Sequence, residues 1–300
     1  MQISRRDFLK VFGASAAVLG VGARIAPPGL APLSRSVPEL SPDQMGMLMD
    51  TTKCIGCKRC VVACQTSHDL PVNADVTSLS PHALSFVDVR NISPDANKPV
   101  IKPVKRQCMH CQEPGCVSAC TVGALQKLPS GPVVYDSAKC IGCRYCMYAC
   151  PYGVPTFEWS KQLSLMVKCD GCINLVKNGQ PTACSAACPV GAIKYGKRSE
   201  LLTIAHQRID DPQANYIKHV YGETEAGGSS RIYLSAVPFE QLGFPQLPDA
   251  SAAEASEKIM HATPIIAGAM ATVLTTLYFI TKRFADRQPE AAEQTHAGEE

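Results

Sequence analysis

The sequence predicts an α+β protein built from two small related modules and ending in one long apolar helix. Three observations carry this. All 16 cysteines of the 300-residue chain fall into four short runs. The sequence around those runs repeats internally. Near the C-terminus, the 18-residue stretch from Pro264 to Thr281 holds no charged residue. Composition supports a packed core, with 46% hydrophobic and 18% charged residues, and excludes a disordered chain. A net charge of only +3 excludes a strongly basic nucleic-acid binder.

The N-terminus carries the twin-arginine pattern Ser4-Arg5-Arg6-Asp7-Phe8-Leu9-Lys10, followed by a small-residue apolar run from Val11 to Ala23. That run is too short to span a bilayer, so residues 1–26 read as an export signal and 27–44 as a linker. Export in the folded state suits a protein whose cofactor is inserted in the cytoplasm.

The first run is Cys54-x2-Cys57-x2-Cys60-x3-Cys64, and the third is Cys140-x2-Cys143-x2-Cys146-x3-Cys150. The second is Cys108-x2-Cys111-x4-Cys116-x3-Cys120, and the fourth is Cys169-x2-Cys172-x11-Cys184-x3-Cys188. The compact spacing is the bacterial ferredoxin run for a [4Fe–4S] cube. Three cysteines on a tight loop reach three corners of one cube, and the fourth, one helical turn on, points to its neighbour. Lys53-Cys54-Ile55-Gly56-Cys57 repeats as Lys139-Cys140-Ile141-Gly142-Cys143. Ala119-Cys120-Thr121-Val122-Gly123-Ala124 returns as Ala187-Cys188-Pro189-Val190-Gly191-Ala192. The chain therefore reads as two ferredoxin-like modules, each with one compact and one expanded run, in a domain over 45–200.

Other uses of cysteine fit less well. Disulfide scaffolds are short, with scattered spacings, and structural zinc does not need the x2-x2-x3 pattern. Attached haem needs a histidine directly after C-x-x-C, which no run has. The glycines allow backbone to approach a cube closely and leave amides free to donate to sulfur. Lys53, Arg106, Lys139 and Lys168 lie just before the four runs, where cations would offset cluster charge. His110, inside the second run, reads as a donor or loop residue rather than a ligand.

Strands are expected at Ser85 to Asn91, Val133 to Tyr135, Ile193 to Tyr195 and Arg231 to Leu234, with a short helix from Glu200 to Arg208. Residues 201–243 read as a C-terminal extension and 244–263 as a Pro/Ala/Glu-rich linker. The uncharged stretch 264–281 would extend about 27 Å as a helix, enough for a hydrocarbon core. Lys282, Arg283 and Arg287 follow it, so the positive-inside rule puts the tail, 282–300, in the cytoplasm and the folded domain outside.

In this order, the four runs resemble those of the four-cluster iron–sulfur subunits of dimethyl-sulfoxide-reductase-type respiratory complexes. Within that family, the hydrogenase-2 branch of membrane-bound nickel–iron hydrogenases is most similar. The likeness rests on Ser4-Arg5-Arg6-Asp7-Phe8, Gly46-Met47-Leu48, Gln107-Cys108-Met109-His110-Cys111, Cys143-Arg144-Tyr145-Cys146-Met147 and Val237-Pro238-Phe239-Glu240, with the C-terminal apolar stretch. It implies ligands shared crosswise between runs. Cys54, Cys57 and Cys60 would hold a cube with Cys188, and Cys169, Cys172 and Cys184 one with Cys64. Cys108, Cys111 and Cys116 would pair with Cys150, and Cys140, Cys143 and Cys146 with Cys120. The sole tryptophan, Trp159, lies outside all runs, so four [4Fe–4S] cubes are expected rather than a three-iron variant. Gln65 and Thr121 replace the proline that often follows the fourth cysteine, which removes no ligand.

The sequence offers no nucleophile–base pair, open metal position or nucleotide-binding glycine loop, so the expected role is electron transfer without a catalytic site. The resemblance implies a relay from the small and large subunits of a periplasmic hydrogenase to a polytopic, quinone-reactive membrane subunit. The alternative partner is a molybdopterin oxidoreductase of the formate dehydrogenase or sulfur-compound reductase type. A disulfide-stiffened structural protein is the third class.

Overall fold

The computed structural model describes residues 39–93, 100–160 and 163–285. The export signal expected at 1–26, most of the 27–44 linker and the tail beyond 285 lie outside the described residues. In chain order the strands are β1 (Met45–Asp50), β2 (Ser85–Asn91), β3 (Ile101–Gln107), β4 (Leu125–Lys127), β5 (Val133–Tyr135), β6 (Thr156–Phe157), β7 (Met166–Val167), β8 (Ile193–Lys197) and β9 (Arg231–Leu234). The helices are α1 (Arg59–Ser67), α2 (Gly115–Ser118), α3 (Tyr145–Tyr148), α4 (Ile173–Lys177), α5 (Ala183–Ala186), α6 (Arg198–Asp210) and α7 (Ala252–Ala285).

β1 is the centre of a three-stranded sheet, antiparallel to β8 with Met47 opposite Tyr195, and parallel to β9 with Met49 opposite Tyr233. Its residues alternate faces, as a strand requires. Met47 and Met49 enter one core with Val61, Val104 and Tyr233, whereas Leu48 enters a second with Ile232, Leu234 and, from α6, Leu201 and Ala205. Three two-stranded ladders, β2–β3, β4–β5 and β6–β7, complete the sheet content of the described residues.

The modules assemble crosswise. α1 of the first run packs on α5 of the fourth, and α2 of the second run packs on α3 of the third. The pairing of runs one and four is enclosed by the three-stranded sheet and the β2–β3 hairpin. The pairing of runs two and three has a smaller core of Val117, Leu125, Val133, Phe157 and Met166, completed by Cys146.

Two expected boundaries change. Residues 201–243 are integral to the frame, because β9 lies in the same sheet as β8 and β1. The stretch from 244 is not simply a linker. Phe244 is buried, with ring centroids 4.6 Å from Tyr221, 4.8 Å from Tyr233 and 5.4 Å from Phe239. Helix α7 then begins at Ala252, inside the expected linker, and its first turns pack on α2. Gly115 permits this approach, since a Cβ there would lie 3.1 Å from the Ala252 carbonyl.

The apolar part of α7 spans Ala262–Phe284, 23 residues with mean hydropathy 1.6, longer at both ends than the expected 264–281. Ile265, Ile266, Met270, Leu274 and Leu277 are all exposed. The hydroxyls of Thr272, Thr275, Thr276 and Thr281 donate to the carbonyls of Gly268, Ala271, Thr272 and Leu277 at 2.7–2.9 Å. Polar groups are thereby satisfied within the helix while apolar side chains face outward, as a hydrocarbon environment demands.

Candidate metal centres

The first C-x2-C loop of each run makes the same backbone turn. The residue before its second cysteine is left-handed in all four runs: Gly56 (φ 71°), His110 (φ 49°), Gly142 (φ 68°) and Gly171 (φ 78°). Glycine takes this conformation freely, whereas histidine needs compensation. His110 has it: the ring is fully buried against Gly171, and its Nδ1 accepts the Val133 amide at 2.9 Å. Nδ1 is thus unprotonated, leaving the proton on Nε2, which has no hydrogen-bond partner among the described residues. Burial holds the imidazole well below its ordinary pKa, with the charges of Arg231, Lys168 and Lys127 adding to the effect.

None of the sixteen cysteines is joined to another. Cys54, Cys57, Cys60 and Cys188 line one cavity, partly open to solvent, together with Lys105. Cys64 lies beside Cys169, and Cys172 beside Cys184. His68 bridges that pair of pairs, with Nδ1 2.8 Å from the Cys64 carbonyl and Nε2 2.8 Å from Asp170, which also accepts the Cys172 amide at 2.8 Å. Cys111 and Cys116 both face Cys108 and Cys150. Cys146 faces Cys120, Cys143 and Cys140. The structure therefore brings Cys188 to the first run, Cys64 to the fourth, Cys150 to the second and Cys120 to the third.

Burial and mutual crowding outweigh the nearby cations at most of these thiols. Cys60 is pushed up to about 11 by burial, with Cys184, Cys54 and Cys57 adding and Lys105 opposing. Cys146 rises to about 12 through burial and the neighbouring Cys120, Cys143 and Cys140. Cys116 rises well above the usual thiol value, chiefly by burial, then by Cys108. Cys64 and Cys140 go the other way. Burial raises both, but at Cys64 the His68 hydrogen bond and Lys105 prevail. At Cys140 the Tyr135 hydroxyl and the amides of Gly142 and Met166 prevail. A metal would reverse the sign of the whole problem, since a coordinating thiol is deprotonated outright. Four soft thiolates per group suit an iron–sulfur centre. Amides already point at sulfur, from Gly142 to Cys140 at 3.4 Å and from Val154 to Cys150 at 3.5 Å. The residues fit the cluster.

The basic residues before the runs divide. Lys53 and Lys139 are exposed, Lys139 pairing with Asp136 at 3.1 Å. Arg106 turns away to Asp88 and the Leu242 carbonyl, with its guanidinium 4.0 Å from the Phe244 ring. Only Lys168 points inward, to the carbonyls of Val133 and Cys169. Sequence reasoning missed the buried lysines Lys105 and Lys127. Lys105 lies opposite Val87 in the β2–β3 ladder, and nothing in the local pattern marks it as inward.

Two profiles of the 4Fe-4S dicluster domain match the chain, at residues 53–124 and 100–198. A protein of Nitratidesulfovibrio vulgaris is 38% identical over 98% of this chain and 82% of its own length. The hydrogenase-2 operon protein HybA of Escherichia coli is 33% identical, over 86% of this chain and 89% of its own length. The iron-sulfur subunit of the nitrate-inducible formate dehydrogenase of Escherichia coli is 34% identical, over 64% of this chain and 68% of its own length. Grouped thiols on this duplicated frame define an electron-transfer iron–sulfur protein. The chain belongs to the family of 4Fe-4S iron–sulfur subunits that includes these hydrogenase-2 and formate dehydrogenase relatives.

Proposed function

We propose that the chain is a four-cluster electron relay, working at the periplasmic face of the inner membrane between a nickel–iron hydrogenase and a quinone-reactive membrane subunit. Cys54, Cys57, Cys60 and Cys188 hold the first [4Fe–4S] cluster, and Cys64, Cys169, Cys172 and Cys184 the second. Cys108, Cys111, Cys116 and Cys150 hold the third, and Cys120, Cys140, Cys143 and Cys146 the fourth. When bound, such clusters supply one-electron uptake and release, at potentials set by charge, burial and hydrogen bonds to sulfur.

The observation that carries the reading is the placement of exposed thiols. Cys57 and Cys143, at the same position of the two compact runs, are the exposed ones. Each belongs to an outer group. The inner groups are screened by protein and adjoin one another, with Cys169 facing Cys108. Electrons would thus enter and leave at two ends and be shielded between. The chain's own residues orient the clusters, exclude water from the inner pair and donate amide hydrogens to sulfur. Helix α7 would anchor the relay in the bilayer. The hydrogenase assignment is favoured because similarity to HybA extends over 86% of the chain, against 64% for the formate dehydrogenase subunit.

Anaerobic purification in detergent, with metal and sulfide analysis, tests this. About sixteen irons per chain with co-purifying nickel is expected, and fewer than about twelve overturns four cubes. Molybdenum or tungsten without nickel transfers the relay to a pterin enzyme. In the same preparation, Cys116→Ser is expected to spare three clusters yet abolish hydrogen-to-quinone electron flow. Undiminished flow rejects a linear relay.

A further inference from the structure

Three buried lysines approach the cysteine groups, and two of them are chemically accounted for. Lys127 donates to the His110 and Gly131 carbonyls and to the Ser230 hydroxyl. Lys168 donates to the Val133 and Cys169 carbonyls. Their ammonium groups pin loops together. Lys105 differs. Its side chain is buried, with the residue only 5% exposed, and its Nζ has no hydrogen-bond partner among the described residues. An ammonium has three donors, and leaving them desolvated and unpaired costs several kcal/mol.

What surrounds this ammonium is sulfur from two sites. Lys105 lines the cavity of the first cysteine group, beside Cys54, Cys57, Cys60 and Cys188. Its charge also acts on Cys184, Cys64 and Cys169 of the second group, and the strongest of its thiol neighbours are Cys184 and Cys60, one from each. The backbone holds it there. β3 pairs it with Val87, and the buried Tyr233 hydroxyl donates to its carbonyl at 2.9 Å. The partly buried Arg106 next along the strand cannot replace it, because it is committed to Asp88 and Leu242.

We infer that Lys105 is a shared electrostatic positioning residue for the first two clusters, its permanent charge raising the reduction potential of both. This rests on the four-cluster reading above. The argument is one of sign. Taking up an electron makes a thiolate-ligated cluster more negative, and a fixed cation between two such clusters favours that state at each. Low local dielectric strengthens the effect, and the absence of competing oxygen acceptors leaves the ammonium directed at sulfur. At the third group, by contrast, Lys127 and Lys168 spend their donors on carbonyls and on the Ser230 hydroxyl.

The test is redox potentiometry followed by electron paramagnetic resonance on the full-length chain, purified anaerobically in detergent, with dithionite as reductant. Iron and sulfide in the wild-type chain decide separately whether four clusters are present. In Lys105→Met, two of the four midpoints are expected to fall by at least a tenfold change in the reduction equilibrium, about 59 mV each for one electron. The other two should stay in place. Lys105→Arg keeps the charge and should keep the wild-type midpoints. Unchanged midpoints in a fully loaded Lys105→Met chain overturn the inference, as does an equal shift of all four. If Lys105→Met does not load, Lys105→Arg decides: wild-type midpoints support the role of charge, and displaced midpoints reject it.

Discussion

The two halves of the frame bind the same number of thiols with very different amounts of protein. The half formed by runs one and four sits in a three-stranded sheet, a ladder of seven residue pairs and a core of tilted and edge-on aromatics. The half formed by runs two and three has ladders of two and three residue pairs, and four-residue helices too short to be stable alone. Its core includes Cys146, with Cys116 and Cys120 packed against it. Duplication has preserved the loops that present sulfur but not what supports them. In the second half the metal itself must supply much of the cohesion, as it does in small metal-stapled domains.

The largest expected effect follows from that contrast. Stripping iron with a chelator under reducing conditions should remove hydrogen-exchange protection from β4, β5 and α3 almost completely. The amides of β1, β8 and β9 should remain measurably protected. Equal loss in both halves breaks the comparison, because it would mean that the sheet also depends on its clusters.

Core substitutions sharpen it further. Leu48 and Leu125 are both fully buried leucines, at 0% and 1% exposure. Replacing either by alanine should destabilise by about 2–5 kcal/mol. The consequences should differ in kind. Leu48 packs against carbon only, from β9 and α6, so Leu48→Ala should lower the unfolding temperature without preferential iron loss. Leu125 packs in the core that holds Cys146, so Leu125→Ala should speed release of iron from that half to a chelator. The absorbance decay of the two variants checks this. Identical release kinetics would deny any difference in metal dependence.

How much of this was legible in the sequence depends on the length scale of the signal. Ligand spacing is local, so the four runs could be read directly, whereas their crosswise grouping came only from the family resemblance. Strands carrying β-branched and aromatic residues, such as Ser85–Asn91 and Arg231–Leu234, could also be read. β1 was invisible as a strand because Met-Gly-Met-Leu-Met-Asp lacks β-branched residues, and only its partners on both sides make it one. The stretch from Phe244 has a linker's composition, yet the Phe244 ring and hydrogen bonds to the carbonyls of Pro245, Pro248 and Asp249 bind it to the core. Lys105 and Arg106 are neighbours with opposite fates. Position before a cysteine run pointed to Arg106, whereas strand register selected Lys105, and register is set by distant residues.

The smallest expected effect lies at a loop position that the two compact runs share in conformation but not in contacts. Lys58 and Arg144 each follow the exposed cysteine of a compact run, and each is left-handed (φ 58° and 66°). Lys58 pairs with Asp75 at 2.7 Å, whereas Arg144 lies over the Trp159 ring, 4.2 Å from its centroid. The hydrogen bond from Lys58 and its charge hold the Asp75 carboxyl below its ordinary value. A depressed carboxylate contributes above its unfolded value, near 4, and loses that contribution as pH falls through the folded value. Asp75→Asn should therefore loosen the first loop slightly at neutral pH and make no difference well below pH 4. Trp159→Leu should loosen the third loop by about 0.5–1 kcal/mol, the usual strength of an exposed cation–π contact, with no pH dependence across that range. Exchange rates of the amides at Lys58 and Arg144, followed from pH 7 down to pH 3, compare them. If both variants showed the same pH profile, the two loops would be held by the same force, and the chemical divergence between the halves would stop short of the metal-binding loops.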